Sequence, residues 1–237
     1  MPKRDGLLHE AENMHLVPIG GLCNRLRAIM SHAVAAWAAG EVLYVYWFSH
    51  PACPARFDDL FEPIADVRVV VYEGDRVPPA GYIQTCGVHA GVAEADWPLS
   101  LLRPVAAIRE RVAALQVRLG SDYVAVHIRR TDHNQNWHQD EVYAGWGDGH
   151  GGPVYAAADN PKSLATLKRR LGERLVYQGR FAMTGIRMTE VADAVVDLWV
   201  CGGAKAFRGT YYSSFSDWIE TMRRAAGLAP GDLTKLP

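Results

Sequence analysis

The sequence predicts an α/β fold in which two Rossmann-like lobes face a cleft. Short apolar runs typical of strands alternate with amphipathic helical patterns along the whole chain, and this alternation favours parallel sheets. The chain has 237 residues, enough for two small lobes. The strand-like run at 123–128 ends abruptly in charged residues. Because ligands bind beyond the carboxyl ends of parallel strands, we expect the functional site there.

The first lobe is predicted to span residues 1–120. After a polar leader, a strand and a Gly20-Gly21 turn lead into a helix whose apolar residues recur at steps of four and three, and Gly40 is a suitable stop. Residues 74–97 are turn-rich and receive no assignment. The predicted elements are strands at 14–19, 41–48 and 67–72 and helices at 22–39, 56–65 and 101–119.

The second lobe is predicted to span residues 121–237 and begins with the strand at 123–128. A polar, glycine-rich stretch at 133–152 is interpreted as a loop. Pro161 occupies a first-turn position of the next helix. The other predicted elements are strands at 153–158, 175–177 and 204–207 and helices at 161–171, 189–199 and 213–226.

Composition excludes several classes of protein. The net charge of −1 disfavours sequence-independent nucleic-acid binding. No apolar run approaches the roughly 20 residues that span a bilayer, and the polar start does not resemble a signal peptide. The four cysteines are scattered, so we expect reduced thiols and a cytoplasmic protein. The oligomeric state is open.

The residues after the strand at 123–128 are His127-Ile-Arg129-Arg130-Thr-Asp132. Two adjacent guanidinium groups at a strand end suit a phosphate, because each offers a fork of permanently charged donors. An ion-paired strand end, with Asp132 as partner, explains the same residues equally well.

A second candidate is Gly20-Gly21-Leu-Cys-Asn24-Arg25, which joins a strand to a helix. It is not a dinucleotide fingerprint, and the sequence has no Walker A motif. Asn24 and Arg25 would lie in the first helical turn, where backbone N–H groups favour an anion. A solvated helix residue is the simpler interpretation of Arg25 taken alone.

Two further candidates carry carboxylates. Asp159 and Asn160 follow a strand, and Asn160 before Pro161 also suits a helix N-cap, a compatible role. Asp197 has apolar neighbours, so its charge requires a specific partner, which a buried salt bridge or a ligand would supply equally well.

The last candidate is Arg208-Gly-Thr210-Tyr-Tyr-Ser213-Ser214-Phe-Ser, a strand–turn–helix pattern. Glycine and hydroxyl groups at a helix N-terminus suit a phosphate. An ordinary N-cap at Ser213 or Ser214 is compatible with the same pattern.

The sequence does not predict a metal or a covalent nucleophile. His133, His138, Asp140 and His150 are close in sequence, but their spacing matches no zinc pattern. There is no Gly-x-Ser-x-Gly elbow and no Asp-x-Asp motif. Arginines must therefore supply the charge that compensates a diphosphate.

These motifs together resemble those of the α-1,6- and peptide-O-fucosyltransferase superfamily, which includes bacterial nodulation fucosyltransferases. The similar segments occur in the same order along nearly the whole chain. They are residues 21–29 (Gly-Leu-Cys-Asn-Arg-Leu-Arg-Ala-Ile), 126–132 (Val-His-Ile-Arg-Arg-Thr-Asp), 155–161 (Tyr-Ala-Ala-Ala-Asp-Asn-Pro), 195–199 (Val-Val-Asp-Leu-Trp) and 210–216 (Thr-Tyr-Tyr-Ser-Ser-Phe-Ser).

The resemblance implies a compact GT-B-like fold, inverting fucosyl transfer from GDP-fucose, and neither a metal nor a further cofactor. It implies that Arg129 holds the β-phosphate with support from Arg130, and that His127 and Asp197 read the guanine. The remaining donor-site residues that it implies are Asp159, Asn160, Thr210, Ser213 and Ser214. Asn24 and Arg25 would face the cleft from the acceptor side.

The general base stays open. The position seven residues after Arg130, where the α-1,6 enzymes have a glutamate proposed as the base, is Trp137. Neighbouring groups that could act instead are Asp132, His133, His138, Asp140 and Glu141; we group Asp132 and His133 with the arginines as catalytic candidates.

The sequence therefore predicts a glycosyltransferase that takes a nucleotide-sugar donor and a glycan or small-molecule acceptor. A non-catalytic GDP-sugar or glycan-binding protein on the same scaffold is the alternative, and a nucleotide-sugar hydrolase is a third possibility.

Overall fold

The computed structural model describes residues 13–132, 139–181 and 188–233. The chain divides into two compact units, residues 1–105 and 106–237. The predicted boundary at 120/121 therefore differs from this division by one helix, which belongs to the second unit. That helix, at residues 106–119, packs against the helix at residues 191–202, and this packing explains why it belongs to the second unit.

The first unit contains a four-stranded parallel sheet with the order β3-β2-β1-β4. The helix α1 packs on β1 and β2. Gly40 ends α1 in the left-handed conformation, with φ of 75°, as predicted. The elements are β1 (Met14–Pro18), α1 (Leu22–Ala39), β2 (Leu43–Trp47), β3 (Val69–Glu73) and β4 (Ile83–Thr85).

The second unit repeats this arrangement with the strand order β7-β6-β5-β8, again parallel. Each unit thus has its first strand in the interior of the sheet, between its second and fourth strands. The elements are α2 (Ala106–Leu119), β5 (Val124–Ile128), α3 (Asp140–Gly149), β6 (Val154–Ala158), α4 (Pro161–Leu171), β7 (Leu175–Val176), α5 (Val191–Gly202), β8 (Ala206–Arg208) and α6 (Ser214–Ala225).

Every residue of the strand β5 is buried, so the strand is covered on both faces, as is typical of a parallel sheet. Val124, Val126 and Ile128 pack into a hydrophobic cluster with α3, α4 and β6. His127 points to the opposite face, where it contacts α6. The carboxyl ends of β5 and β8 meet where the strand order changes direction, the position at which open α/β sheets bind ligands.

The prediction of an α/β chain with two parallel sheets is confirmed, and the bounds of α1 and α4 agree with the predicted 22–39 and 161–171. The helix predicted at 56–65 is wrong. Glu73 instead accepts hydrogen bonds from the N–H groups of Phe57 and Asp58 and holds the segment in a turn. Phe57, Leu60 and Phe61 are buried in that turn.

The glycine-rich stretch predicted as a loop contains α3. Its glycines lowered the helix propensity on which the prediction rested. Close packing requires at least one of them: a Cβ on Gly147 would lie 3.1 Å from a methyl group of Val154. Tertiary packing of Tyr143, Ala144 and Gly147 thus outweighs the local preference.

Two other features concern the class of protein. Across residues 13–132, 139–181 and 188–233, no helix has the length and apolar character that crossing a membrane requires. Cys23, Cys53 and Cys201 are buried free thiols, whereas Cys86 is an exposed one.

Gly209 follows β8, and no larger residue fits there without movement. A Cβ at this position would lie 2.6 Å from Oγ of Ser216 and 2.7 Å from its Cβ. We expect Gly209→Ala to lower the free energy of unfolding by about 1–3 kcal/mol, as overpacking typically does. Chemical denaturation measures this change.

The matched control is Gly149→Ala, because a Cβ on Gly149 meets no atom within 4 Å. Its stability should stay close to that of the wild type. Equal stability of the two variants would contradict the close approach.

Candidate functional site

Two turns meet at the carboxyl ends of β5 and β8, and Thr210 joins them. Its hydroxyl donates to the carbonyl oxygen of His127 at 2.8 Å and accepts from the N–H of Arg129 at 3.1 Å. Thr210 is 1% exposed, so this hydroxyl positions the turns from the interior. The sequence predicted Thr210 as a donor ligand; its described contacts are those of a connecting residue.

His127 is also held by the second turn. Its Nδ1 lies 2.7 Å from Oγ of Ser216, which in turn accepts the N–H of Thr210 at 2.9 Å. The ring of Phe215 stacks on the imidazole at a centroid distance of 4.5 Å. The start of α6 therefore fixes the imidazole, which is 6% exposed.

The carboxylate of Asp159 shapes the turn after β5. It accepts the N–H groups of Arg130 and Thr131, each at 3.0 Å, and the hydroxyl of Thr131 at 2.8 Å. The side-chain amide of Asn160 donates to it as well, at 3.0 Å. Hydrogen bonds to a charged acceptor are about twice as strong as neutral ones. Asp159 therefore fixes the backbone that carries both arginines.

Asn160 is the N-cap of α4, as the sequence predicted. Its Oδ1 accepts the N–H of Ser163 at 3.0 Å, and Pro161 follows in the first turn. The capping role is thus observed directly.

Both arginines after β5 are ion-paired. Arg129 donates from Nε and one Nη to the two oxygens of Asp132, at 2.7 and 2.8 Å. Arg130 donates from Nε and one Nη to Oδ1 of Asp140, at 2.9 and 2.7 Å. The ion pair with Asp132 that the sequence allowed is therefore present. These pairs fix the orientation of each planar guanidinium group.

The start of α6 has the features of an anion site. Ser213 occupies the N-cap position, but its side chain makes no capping hydrogen bond. Its Oγ is buried and has no hydrogen-bond partner within the part of the chain that the structure describes. Tyr212, just before it, has a φ of 60°, a left-handed conformation that is strained for this residue. Such strain is typical of functional turns. Ser214 begins the helix and is half-buried.

Asp197 lies in α5 and faces a pocket at the edge of the sheet. Its Oδ1 accepts from the hydroxyl of Tyr155 at 2.5 Å and from Nε2 of Gln178 at 2.7 Å. The sequence predicted a specific partner for Asp197, and these two donors supply it. The pocket is lined by Ala156, Ala158, Leu164, Tyr177, Gln178, Gly179, Arg180, Phe181, Thr189, Asp193 and Asp197.

Burial raises the pKa of Asp197 to about 7, and the nearby carboxylate of Asp193 acts in the same direction. The hydrogen bonds from Tyr155 and Gln178 oppose this shift because they favour the charged form. The protonation state of this pocket therefore changes near neutral pH.

The sequence analysis missed Asp193, Gln178 and Arg111. Arg111 of α2 donates to both the carboxylate of Asp193 and the amide oxygen of Gln178. One signal was present: Asp193 and Asp197 are four residues apart in an apolar helix, so both carboxylates lie on one helical face.

In the first unit, the guanidinium of Arg25 is buried. It donates to the carbonyl oxygens of Gly20 at 2.9 Å and Phe48 at 2.7 Å, and it lies 4.7 Å from the ring centre of Trp47. Arg25 thus joins the segments after β1 and β2, a role that differs from the solvated helix residue considered from sequence. Asn24 is half-buried in the first turn of α1. The acceptor-side role of both residues stays a prediction.

The candidate bases differ in their surroundings. The carboxylates of Asp132 and Asp140 are engaged by the two arginines. Glu141 is exposed in the first turn of α3 and lines a groove together with Arg130, Thr131 and Lys162. His133, Trp137 and His138 lie outside the described residues, as does any contact of theirs.

Among the residues that the structure describes, no group of three or more His, Cys, Asp or Glu side chains could hold a metal ion. Arg129 and Arg130 follow β5, Arg208 ends β8 and pairs with Asp232 at 2.8 Å, and α6 begins shortly after β8.

The fold and these two strand ends define an open α/β architecture with a parallel sheet in each unit. No protein-family model matches the sequence, and no curated protein matches it. Solved structures do match in fold.

One is the NodZ α-1,6-fucosyltransferase soaked with GDP-fucose, with a TM-score of 0.65 and 14% identity over 89% of this chain and 92% of that chain. Another is NodZ from Bradyrhizobium, with a TM-score of 0.63 and 15% identity over 88% and 92%. POFUT1 in complex with GDP-fucose gives a TM-score of 0.65 and 13% identity over 95% and 98%. The chain therefore has a fucosyltransferase-like fold.

The raised pKa of Asp197 predicts a pH-dependent stability. An unfolded aspartate loses its proton near pH 4, whereas the folded one keeps it up to about pH 7. The folded state therefore binds more protons than the unfolded state in this pH range. The contribution of Asp197 to the free energy of unfolding thus falls as the pH rises from about 4 to 7. Asp197→Asn keeps the acceptor for Tyr155 and Gln178 but has no proton to lose.

Unfolding free energies at pH 5 and pH 8 should thus show the variant gaining stability relative to the wild type at the higher pH. All other titrating groups are common to both proteins and cancel in this difference. If the unfolding free energies of the two proteins changed equally between pH 5 and pH 8, the raised pKa of Asp197 would be contradicted.

Proposed function

We propose that the protein is a glycosyltransferase that transfers fucose from GDP-fucose to a hydroxyl of a glycan or small glycosylated acceptor, with inversion and without a metal. The observation that carries this proposal is the fixed pair of arginines where β5 ends, beside the uncapped start of α6. The fucosyltransferase-like fold supports it, because NodZ and POFUT1 were crystallised with GDP or GDP-fucose. Each lobe would then correspond to one Rossmann-like lobe of a GT-B enzyme.

The diphosphate would lie between the turn after β5 and the start of α6. Arg129 would contact the β-phosphate, and Arg130 would support the same site. The N–H groups at the start of α6 and the hydroxyls of Ser213 and Ser214 suit the phosphate oxygens. The buried Oγ of Ser213, which has no hydrogen-bond partner within the described residues, supports this placement.

The guanine would be read by the carboxylate of Asp197. A carboxylate held by Tyr155 and Gln178 presents a fixed acceptor to the N–H groups of a base. His127 contributes to donor binding either directly or through its bond to Ser216 at the start of α6. Asp159 and Thr210 act behind the site, because they hold the two turns in place.

Catalysis follows from the charge that builds up as the glycosidic bond breaks. Negative charge accumulates on the departing diphosphate, and preorganised donors stabilise it more in the transition state than in the ground state. Asp132 and Asp140 keep both guanidinium groups oriented before the donor arrives. Little reorganisation is then needed during the reaction.

The acceptor hydroxyl would lose its proton to a base near the groove at the start of α3. Glu141 lines this groove, and Asp132 and Asp140 lie beside the arginines that they bind. His133 and His138 complete the set of candidates.

A second function is favoured by one observation. Trp137 occupies the position at which the α-1,6 enzymes have a glutamate, so a non-catalytic GDP-sugar-binding protein is the alternative. A hydrolase that transfers the sugar to water is the third candidate function.

One assay separates these functions. The protein is incubated with GDP-fucose and a panel of small glycan acceptors, and GDP release and acceptor mass are followed. Fucosylated acceptor is the expected result. Saturable binding without GDP release would identify a binding protein, and GDP with free fucose would identify a hydrolase.

Arg129→Ala should lower kcat by roughly 10²–10³-fold, the typical loss when one donor to a developing charge is removed. Arg129→Lys should also be poor, because a point charge does not replace the planar fork. Single-turnover measurements and circular dichroism check activity and fold together.

Arg169→Ala is the matched control, because Arg169 is exposed on α4. It should leave turnover unchanged. If Arg129→Ala turned over at a rate close to that of the wild type, Arg129 would not stabilise the departing diphosphate.

A further inference from the structure

The turn after β8 is held by residues 229–233, which we call the edge segment. This segment lies along β8, the outermost strand of the second sheet, and forms a parallel bridge in which Asp232 pairs with Arg208. The N–H of Asp232 donates to the carbonyl oxygen of Phe207 at 2.8 Å, and its carbonyl oxygen accepts the N–H of Gly209 at 3.0 Å. The edge segment therefore continues the sheet for a short distance beyond β8.

The edge segment is anchored on α6 as well as on β8. Arg223, which is fully buried, donates to the carbonyl oxygen of Ala229 at 2.9 Å. The carboxylate of Glu220 accepts the N–H of Gly231 at 2.6 Å. No larger residue fits at Gly231 without movement, because a Cβ there would lie 2.7 Å from the ring of Phe207. Two elements of the second unit thus fix the position of the segment.

The side chain of Asp232 adds an ion pair at the end of β8. Its carboxylate accepts from an Nη of Arg208 at 2.8 Å, and the side chain of Arg208 is only 8% exposed. A largely buried guanidinium group that loses its carboxylate becomes an uncompensated charge, which disrupts its surroundings far more than the loss of a surface pair does. Asp232 therefore fixes the last residue of β8 through main-chain and side-chain contacts together.

This anchoring reaches the candidate site within two residues of the chain. Gly209 and Thr210 directly follow Arg208, and the hydroxyl of Thr210 accepts the N–H of Arg129 at 3.1 Å. Leu233 packs against the same turn, since a Cβ on Gly209 would lie 2.5 Å from one of its methyl groups. A displacement of the edge segment would therefore be transmitted to the backbone of Arg129.

We propose that Asp232 is a positioning residue of the transferase. It holds the end of β8 and Gly209, so that Thr210 keeps the backbone of Arg129 in the place from which the guanidinium group meets the diphosphate. The effect on catalysis rests on the proposed function, whereas the link between Asp232 and the N–H of Arg129 is independent of it. The test therefore has one part that measures activity and one part that does not.

Asp232→Ala removes the ion pair at the end of β8. Because Arg129 acts on charge that develops in the transition state, its displacement should lower kcat more than it weakens donor binding. We expect kcat to fall about tenfold, within the roughly 10²-fold loss that a 1 Å misplacement can cause, and KM for GDP-fucose to change less than about threefold. Asp232→Asn keeps an oxygen that accepts from Arg208, so its kcat should lie between those of the wild type and Asp232→Ala.

Amide hydrogen exchange under native conditions, followed by NMR, measures the position of the turn directly. The N–H of Arg129 is bonded to Thr210, whereas Val126 lies inside the ladder of β5, between β6 and β8. In Asp232→Ala the Arg129 amide should exchange about tenfold faster, as the weakening of one hydrogen bond allows, while the Val126 amide keeps its rate. A general loss of stability would accelerate both amides.

A double-mutant cycle with Thr210→Val tests the route of the effect. Valine has a similar shape but cannot accept the N–H of Arg129. In this background Asp232→Ala should lower kcat less than about threefold, because the connection that Asp232 supports is already broken. Equal fold losses in the two backgrounds would show that Asp232 acts by another route and would refute the proposal.

Glu173→Gln is the matched control, because Glu173 is a carboxylate of the same unit that is 98% exposed and pairs with Lys168 at 2.9 Å. It should leave kcat and both exchange rates unchanged. Unchanged exchange of the Arg129 amide in Asp232→Ala, or equal acceleration at Val126, would overturn the proposal. If the wild type transferred no fucose, the proposed function would fail, and the exchange rates would still decide whether Asp232 holds the turn.

Discussion

The hydrogen bonds between the carboxylate of Asp159 and the backbone after β5 are the interaction on which the candidate site depends. A residue at the end of a buried strand has no neighbouring strand to pair with, so its N–H groups need other acceptors. Asp159 supplies one for Arg130 and Thr131, and Thr210 supplies one for Arg129. These acceptors lie directly after β6 and in the turn after β8, and β6 and β8 are the two strands that flank β5. The orientation of the two arginines is thus set by the sheet itself.

The same principle of satisfied polar groups distinguishes the interior of the site from its ligand-facing parts. Thr210, Asp159 and His127 each make hydrogen bonds to neighbouring residues that hold the two turns in place. Ser213 and Asp193 each keep a buried oxygen without a partner among the described residues. In the proposed function, Ser213 lies where the diphosphate would bind at the start of α6.

The sequence predicted the fold better than it predicted individual roles. Alternating apolar runs identified the two parallel sheets, and strong caps at Gly40 and Asn160 fixed the ends of α1 and α4. Because of its glycines, the segment of α3 was predicted to be a loop, although tertiary packing stabilises a helix there. The segment at 56–65 was predicted to be a helix, although Glu73 holds it in a turn. The network around Asp193 joins α2, the segment after β7 and α5, and no local pattern reveals which distant donor a buried carboxylate meets. Partners 67 and 82 residues apart become visible only in the folded chain.

The interior place of β5 has a consequence for how the protein is made. This strand emerges first in its unit, yet one of its edges is paired by residues 206–208, and Thr210 bonds to His127 across 83 positions. Contacts so distant along the chain form slowly, because a long loop must close before they stabilise anything. On the ribosome, the arginine-bearing turn would acquire its final shape only after nearly the whole second unit had been synthesised. A truncated nascent chain would carry the charged motif without the geometry that gives it a use.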